Sequence, residues 1–161
     1  MLLPILRWPD PRLSQPCAPA VLDDDLRQLA TDMLETMYAA PGRGLAAPQV
    51  GRLLRLFVMD VAWKTDEPAP MVFINPSVEL LGDRVVGPEG CLSIPGPVTE
   101  VERSSQVRVR WTDLDGAARE ELFDGFTAIC IQHEYDHLDG LLTLDRLSPE
   151  ARAKAEAEVL A

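Results

Sequence analysis

The two histidines of the chain lie four residues apart, in the run His133-Glu134-Tyr135-Asp136-His137, and no other histidine occurs. If this run is helical, both imidazoles lie on one helix face about one turn apart, with Glu134 beside them. Two neutral imidazoles can bind a divalent metal, and the glutamate can move protons for a water bound there. The run therefore predicts a helix that carries a metal site, although a catalytic metal still needs a further protein ligand.

The identity of the third ligand is the main question that the run leaves open. Some H-E-x-x-H sites use a histidine six residues further along, but Thr143 occupies that position here. The downstream glutamates belong to a short terminal helix that we expect to face solvent. Cys91 is a better candidate, because a thiolate is a strong ligand and the flanking glycine lets backbone approach a metal. Cys17 and Cys130 fit small buried hydrophobic residues better, but spacing alone does not separate the three cysteines.

Composition excludes several classes of function. The 161 residues are 47% hydrophobic and 25% charged, which is typical of one globular domain, and we expect a single domain over 1–161. With 26 acidic and 15 basic residues the net charge is -11, which argues against general binding to nucleic acid or to an anionic membrane. No apolar run is long enough to span a bilayer, and no signal peptide is evident. We therefore expect a cytoplasmic protein with reduced thiols and no nucleic-acid or membrane partner. We also expect a monomer, although composition does not decide the oligomeric state.

The hydrophobic pattern predicts an α+β fold. Apolar residues at helical spacing over 22–37 predict an N-terminal amphipathic helix. Short apolar or alternating runs predict antiparallel strands at 53–60, 71–74, 107–111 and 120–123, with a small-residue segment at 87–96 between them. Asp124 is placed to cap the histidine helix, Gly140 to end it, and Ser148 to begin a short C-terminal helix. We predict antiparallel sheet packed around a central helix that carries the H-E-x-x-H run.

Three segments resemble the peptide deformylases, the metalloenzymes that remove the formyl group from the initiator methionine of nascent bacterial and organellar chains. Residues 42–49 (GRGLAAPQ) resemble the G-x-G-L-A-A-x-Q of that family, 89–93 its E-G-C-L-S, and 132–138 (QHEYDHL) its Q-H-E-x-D-H-L. The segments occur in the family's order, and the resemblance extends from near Ile5 to about Pro149. It implies one divalent metal held by Cys91, His133 and His137: iron(II) by preference, with nickel, cobalt or zinc as replacements.

The same resemblance implies roles around that metal, with an N-formylmethionyl peptide as the substrate. Glu134 is expected to take a proton from water and pass it to the departing amine, while the Gln49 amide and the Leu92 backbone N–H donate to the oxyanion. The expected substrate-binding residues are Arg43, Gly44, Leu45, Phe126, Ile129 and Cys130. Arg43 departs from the aliphatic residue that relatives often carry there, and it could narrow the pocket or reach a substrate carbonyl or carboxylate.

Two supporting interactions are left open by the sequence. Glu89 and Arg103 either pair and brace the segment around Cys91 or form an exposed ion pair. Asp136 either orients a histidine or occupies a solvated helix position.

Two alternative functions remain beside the deformylase interpretation. One is hydrolysis of another N-acylated peptide or amino acid, which Arg43 and the acidic composition motivate. The other is a degenerate, non-catalytic paralogue, which predicts the loss of Gln49, Cys91 or Glu134, yet all three are present. Some relatives dock on the ribosome through a basic C-terminal helix. The segment from Ser148 lacks that basic character, so ribosome docking is not carried over.

Overall fold

Five antiparallel strands lie side by side in chain order in one sheet. The computed structural model describes residues 1–161 and gives the strands the bounds Gly44–Ala46 (β1), Leu56–Met59 (β2), Met71–Cys91 (β3), Ile94–Thr112 (β4) and Ala118–Asp124 (β5). Three α-helices span Asp24–Ala39 (α1), Gly125–Leu138 (α2) and Pro149–Leu160 (α3). The predicted α+β class is therefore confirmed, with helices before, beside and after an antiparallel sheet.

Strands β3 and β4 are much longer than the sequence pattern indicates, at 21 and 19 residues. The predicted runs at 71–74 and 107–111 are only parts of them, and residues 87–91 of the small-residue segment pair as strand. Register shifts interrupt the β3–β4 pairing at three places, the last of them between Glu89 and Cys91. Such irregularities bend a strand and re-aim its side chains. Cys91 thus ends β3, and only Leu92 and Ser93 separate it from β4.

Helix α2 is the central helix of the fold and packs against all five strands. It is buried on most of its circumference, unlike a surface helix with a single apolar stripe. Its buried residues are Ala128, Cys130, Ile131, Gln132, Glu134, Asp136, His137 and Leu138. The Gln132 amide anchors it to β4, because its oxygen accepts the N–H of Ser104 at 2.9 Å and its nitrogen donates to the carbonyl of Ser104 at 2.8 Å.

The helix boundaries follow from local capping, with one exception. The Asp23 carboxylate accepts a backbone N–H of the first turn of α1 at 2.8 Å, and the Ser148 hydroxyl accepts one from α3 at 3.2 Å. Asp124 directly precedes α2, but its side chain makes no capping hydrogen bond, so the capping role predicted for it is wrong. Gly140 follows α2 with a φ of 76°, as expected for a helix end. None of the helices has both the length and the apolar character needed to cross a membrane.

The short strand β1 separates two hydrophobic clusters. Ala46 belongs to the cluster between the sheet and α2, which also contains the stacked rings of Phe57 and Phe73. Leu45 belongs to the cluster under α1, together with residues such as Met33. Successive residues of a strand point to opposite faces, so one face of β1 is left for the histidine helix.

The N-terminal segment runs across all three sequence motifs. The N–H of Leu6 donates to the carbonyl of Gln49 at 2.7 Å, and the N–H of Trp8 donates to that of Ser93 at 2.8 Å. Further along, the N–H of Cys17 donates to the carbonyl of Leu138 at 2.9 Å. This segment therefore bonds to the residues around the histidine helix, the Cys91 turn and the glutamine-bearing loop.

Candidate metal centre

Cys91, His133 and His137 converge at the end of β3 and on the inner face of α2. Their donor atoms all lie within 4.8 Å of one another. The sulfur of Cys91 lies 3.5 Å from Nε2 of His137. A tetrahedral ion with ordinary metal–sulfur and metal–nitrogen bonds would separate these two atoms by about 3.6 Å. The three residues that the resemblance implies as ligands are therefore close enough together to bind a single metal ion.

A buried carboxylate oxygen without a hydrogen-bond partner also fits a water molecule beside the metal. Oε1 of Glu134 is buried, lies 3.9 Å from Nε2 of His137 and has no partner in the protein. A buried carboxylate oxygen left unpaired is costly, so a further polar group beside it is expected. Nδ1 of His137 is likewise buried and unpaired, and no neighbouring group accounts for that.

The electrostatic surroundings favour a cation between these ligands. Burial alone would lower the pKa of His133, but Glu134, Cys91 and Glu89 raise it well above its ordinary value. The negative groups that favour a proton on His133 also favour a metal ion in the same place. Burial and the nearby His133 hold the pKa of His137 well below its usual range, so this imidazole is in the neutral form that binds metals.

Glu89 is the carboxylate that orients His133. Nδ1–H of the imidazole donates to Oε1 of Glu89 at 3.0 Å, which leaves Nε2 unprotonated for a metal. Arg103 binds the same carboxylate with two hydrogen bonds, at 2.9 and 3.0 Å. Although burial would raise the pKa of Glu89, the hydrogen bonds from His133 and Arg103 lower it to about 2. The Glu89 side chain is 7% exposed and that of Arg103 is 4% exposed, so the pair is buried.

Asp136 is buried and forms no hydrogen bond to either histidine, so it takes neither of the two roles considered for it, that of orienting a histidine or that of a solvated helix position. Its carboxylate instead joins Arg103 at 2.6 Å to Arg146 at 2.7 Å. Four side chains thus form a chain of alternating charge with no net charge: Glu89, Arg103, Asp136 and Arg146. A buried charge is tolerated when it is paired in this way. Sequence reasoning missed Arg146 and did not join Glu89 to His133, since neither contact is local in the chain.

Gly44 and Glu134 are packed so closely that a side chain at position 44 would collide with the carboxylate. A Cβ built on Gly44 would lie 2.5 Å from Oε2 of Glu134, well inside van der Waals contact. The glycine therefore leaves the space in which the glutamate reaches the metal ligands.

Burial raises the pKa of Glu134 to about 7, although the charge on His133 opposes the shift.

The amide of Gln49 is held in one orientation. Its oxygen accepts the N–H of Ala46 at 2.9 Å, and its nitrogen donates to the hydroxyl of Ser93 at 3.0 Å. The same nitrogen lies 3.7 Å from the sulfur of Cys91. The NH₂ group thus points toward the cysteine and the Leu92 turn. Ser93, which holds the amide, was not among the predicted site residues.

A cavity of about 500 Å³ opens beside these groups. Of the predicted residues, its walls include Arg43, Gly44, Gln49, Cys91, Leu92, Phe126, Ile129, Cys130, His133 and Glu134. Leu45 is absent from the walls, because its side chain is fully buried in the cluster under α1. Residues 94–98 form a further wall that was not predicted, although their proline and glycine content was an available signal.

Comparisons with known proteins agree with this geometry. The profile of the family described as "Polypeptide deformylase" matches residues 2–153. The chain is 51% identical over 160 residues to a peptide deformylase of Acinetobacter baumannii (strain SDF), covering 98% of this chain and 90% of that protein. It is 49% identical over 154 residues to that of Hyphomonas neptunium, covering 94% and 88%.

Solved structures give the same result. The crystal structure of a peptide deformylase from Legionella pneumophila is similar with a TM-score of 0.93 at 39% identity, covering 99% of this chain and 94% of that one. The structure of a peptide deformylase from Synechococcus elongatus in complex with actinonin is similar with a TM-score of 0.90 at 42% identity, covering 98% and 85%.

Proposed function

This chain belongs to the polypeptide deformylase family and is an enzyme that removes the formyl group from an N-terminal methionine; we propose that Cys91, His133 and His137 hold its metal ion. The observation that carries this proposal is the convergence of the three donor atoms beside the unpaired Oε1 of Glu134. We further propose iron(II) as the metal, with nickel, cobalt or zinc able to occupy the same ligands. A set of one thiolate and two imidazoles suits metals of this intermediate softness.

The protein's part in the reaction begins with proton transfer. When bound, the metal ion polarises the formyl carbonyl and lowers the pKa of a water molecule. Glu134 is proposed to accept a proton as the water oxygen bonds to the formyl carbon, and to return it to the amide nitrogen. The carbon–nitrogen bond then breaks, and formate and the free methionyl amine are the products.

Gln49 and Leu92 are proposed to stabilise the charge that develops on the formyl oxygen. The Gln49 amide is locked by Ala46 and by one N–H bond to Ser93, so its other N–H needs no reorganisation to donate to the formyl oxygen. The backbone N–H of Leu92 belongs to the tight turn directly after Cys91 and faces the same cavity. One such donor contributes about 3 kcal/mol to stabilisation of a comparable transition state.

The substrate's methionine side chain is proposed to lie against Phe126, Ile129 and Cys130, which line the cavity along one face of α2. Burial raises the pKa of the Cys130 thiol well above its usual range, so this residue offers a neutral, apolar surface. Gly44 and Arg43 line the same cavity, with the Arg43 guanidinium over the Phe126 ring. The Leu45 side chain contributes packing under β1 and has no proposed contact with substrate.

We also propose that residues 1–161 act as one domain, as a monomer in the cytoplasm. The three cysteines are free thiols, which fits a reducing compartment.

Formate release from formyl-Met-Ala-Ser tests the proposed function. Protein purified anaerobically should contain one metal ion per chain and should release formate from this peptide, whereas the N-acetyl peptide should be a poor substrate. Metal-loaded protein that left the formyl peptide intact would overturn the proposal. Faster cleavage of the acetyl peptide would favour the alternative hydrolase of N-acylated peptides.

A further inference from the structure

Two basic side chains at the cavity are not paired with any carboxylate of the protein. Arg43 and Lys64 both line the cavity, and neither forms an ion pair, although most arginines of the chain do. Each lies over an aromatic ring instead: the guanidinium of Arg43 is 5.4 Å from the centre of the Phe126 ring, and the Lys64 ammonium is 5.6 Å from that of Trp63. In a chain with a net charge of -11, unpaired cations at a binding cavity are unexpected.

Two hydrogen bonds join the segment that bears Arg43 to the segment that bears Lys64. The indole N–H of Trp63 donates to the carbonyl of Gly42 at 2.9 Å, which ties the loop bearing Lys64 to the residue before Arg43. The carbonyl of Arg43 accepts the N–H of Asp60 at 2.9 Å. The ring of Tyr38 packs edge-on against Trp63 from the other side, at 5.3 Å. Arg43 and Lys64 therefore lie on two connected segments at the edge of the cavity.

The acidic groups of the cavity do not offset these charges. Glu89 and Glu134 are the only carboxylates among the lining residues, and both are buried, at 8% and 3% exposure. Glu89 is already bound by Arg103 and His133. Outside the metal site, Arg43 and Lys64 are therefore the only charged side chains that line the cavity, and they can attract anionic groups of a bound molecule.

We propose that Arg43 and Lys64 form a carboxylate-binding subsite, which makes the enzyme prefer formylmethionyl peptides with a carboxylate on the residues that follow methionine. This inference rests on the proposed function, because it assigns the part of the same substrate that extends beyond the formyl group. Arg43 can bind a carboxylate with two parallel hydrogen bonds, whereas Lys64 contributes a point charge. The Arg43 guanidinium lies over the Phe126 ring and forms no hydrogen bond within the protein, so its N–H groups are available to a substrate carboxylate.

The test compares kcat/KM for C-terminally amidated formyl-Met-Glu-Ser, formyl-Met-Gln-Ser and formyl-Met-Lys-Ser, and for the corresponding formyl-Met-Ala-X peptides, with metal-loaded enzyme. At low salt, the glutamate peptide should exceed its glutamine counterpart by about three- to tenfold at one of the two positions, and the lysine peptide should be poorest. Added salt should reduce the difference, since partly exposed charges are screened. Unamidated peptides show whether the chain's terminal carboxylate occupies the same subsite.

Variants identify the residues responsible. Arg43→Leu and Lys64→Gln should each lower the glutamate-to-glutamine ratio by about two- to fivefold. Arg52→Leu is the matched control, because Arg52 is exposed, makes no ion pair and does not line the cavity; its ratio should equal that of the unmodified enzyme.

Three results would count against the inference or its premise. A ratio near one for enzyme that hydrolyses the neutral peptide overturns the carboxylate subsite and leaves the proposed function standing. A preference that survives in the Arg43→Leu, Lys64→Gln double variant also overturns it. Failure to hydrolyse any formyl peptide overturns the proposed function itself.

Discussion

Glu89 and His133, which are 44 residues apart in the chain, meet with Oε1 of the carboxylate 3.0 Å from Nδ1 of the imidazole. This contact joins the end of β3 to the middle of α2, and Arg103 joins it to β4. The orientation of a proposed metal ligand therefore depends on a buried charge that Arg103 must balance. Substitution of the carboxylate should affect both folding stability and metal affinity.

Glu89→Gln should lower the free energy of unfolding by about 3 kcal/mol, because it removes one of the two carboxylates that pair with the buried Arg103 and leaves the network of Glu89, Arg103, Asp136 and Arg146 with an unbalanced positive charge. It should also weaken metal binding by about 10- to 100-fold, since a neutral amide orients His133 less strongly. Urea denaturation and metal competition measure the two effects. Glu79→Gln is the control: Glu79 is 60% exposed and pairs with Arg108 at 3.6 Å, so its loss should cost less than about 1 kcal/mol. An equal loss of unfolding free energy in the Glu89 and Glu79 variants would contradict a stabilising role for the buried Glu89 carboxylate.

Gly44→Ala should reduce kcat by about 100-fold, because the new Cβ forces the Glu134 carboxylate away from its position. Steady-state kinetics with formyl-Met-Ala-Ser measure the loss, and circular dichroism verifies that the fold persists. Gly87→Ala provides the comparison, since a Cβ at that position would meet no atom within 4 Å. If the Gly44 variant kept full activity, the close packing would have no role in placing Glu134.

Glu134→Gln should retain the metal and lose activity by about 10²- to 10⁴-fold, because an amide cannot accept the proton of water. Metal analysis by mass spectrometry and formate release by a coupled assay separate the two properties. If metal and activity disappeared together, Glu134 would have a structural role instead.

Removal of the metal should lower Tm by about 10 °C. Metal at about 1,000 times its Kd adds about 4 kcal/mol of stability, and for a domain of this size each kcal/mol shifts Tm by about 2–4 °C. Differential scanning calorimetry with and without chelator measures the shift. Cys91→Ala should abolish the dependence on metal, whereas Cys17→Ala, at a buried cysteine outside the ligand group, should preserve it. A chelator effect that persisted in Cys91→Ala would place the metal elsewhere.

The sequence predicts the parts of this protein that depend on local geometry. Helix α2 and its pair of histidines follow from a spacing that any helix imposes. The full length of β3 does not, because glycine, proline and charged residues at 82–90 have weak strand propensity and are held by pairing with β4. The choice of Glu89 over Asp136 as the partner of His133 is a tertiary contact, and it depends on how β3 packs against α2.

Leu45 shows an error that strand geometry could have prevented. Its neighbour Gly44 approaches Glu134, and consecutive strand residues point to opposite faces. Once 44–46 is recognised as a strand, the Leu45 side chain must point away from the site and into the cluster under α1. Strand β1 has only three residues, of which the first is glycine, and a proline-containing turn follows it. Three residues are too few to be recognised by alternation alone.

The backbone bonds of the N-terminal segment impose an order on the assembly of the site. Cys17 is synthesised long before Leu138, whose carbonyl accepts its N–H. Trp8 depends in the same way on Ser93, and Leu6 on Gln49. Contacts between residues so distant in sequence form slowly, because the intervening chain must first be brought together. The metal ligands of a newly made molecule should therefore reach their final arrangement only after residues through the end of α2 have been synthesised.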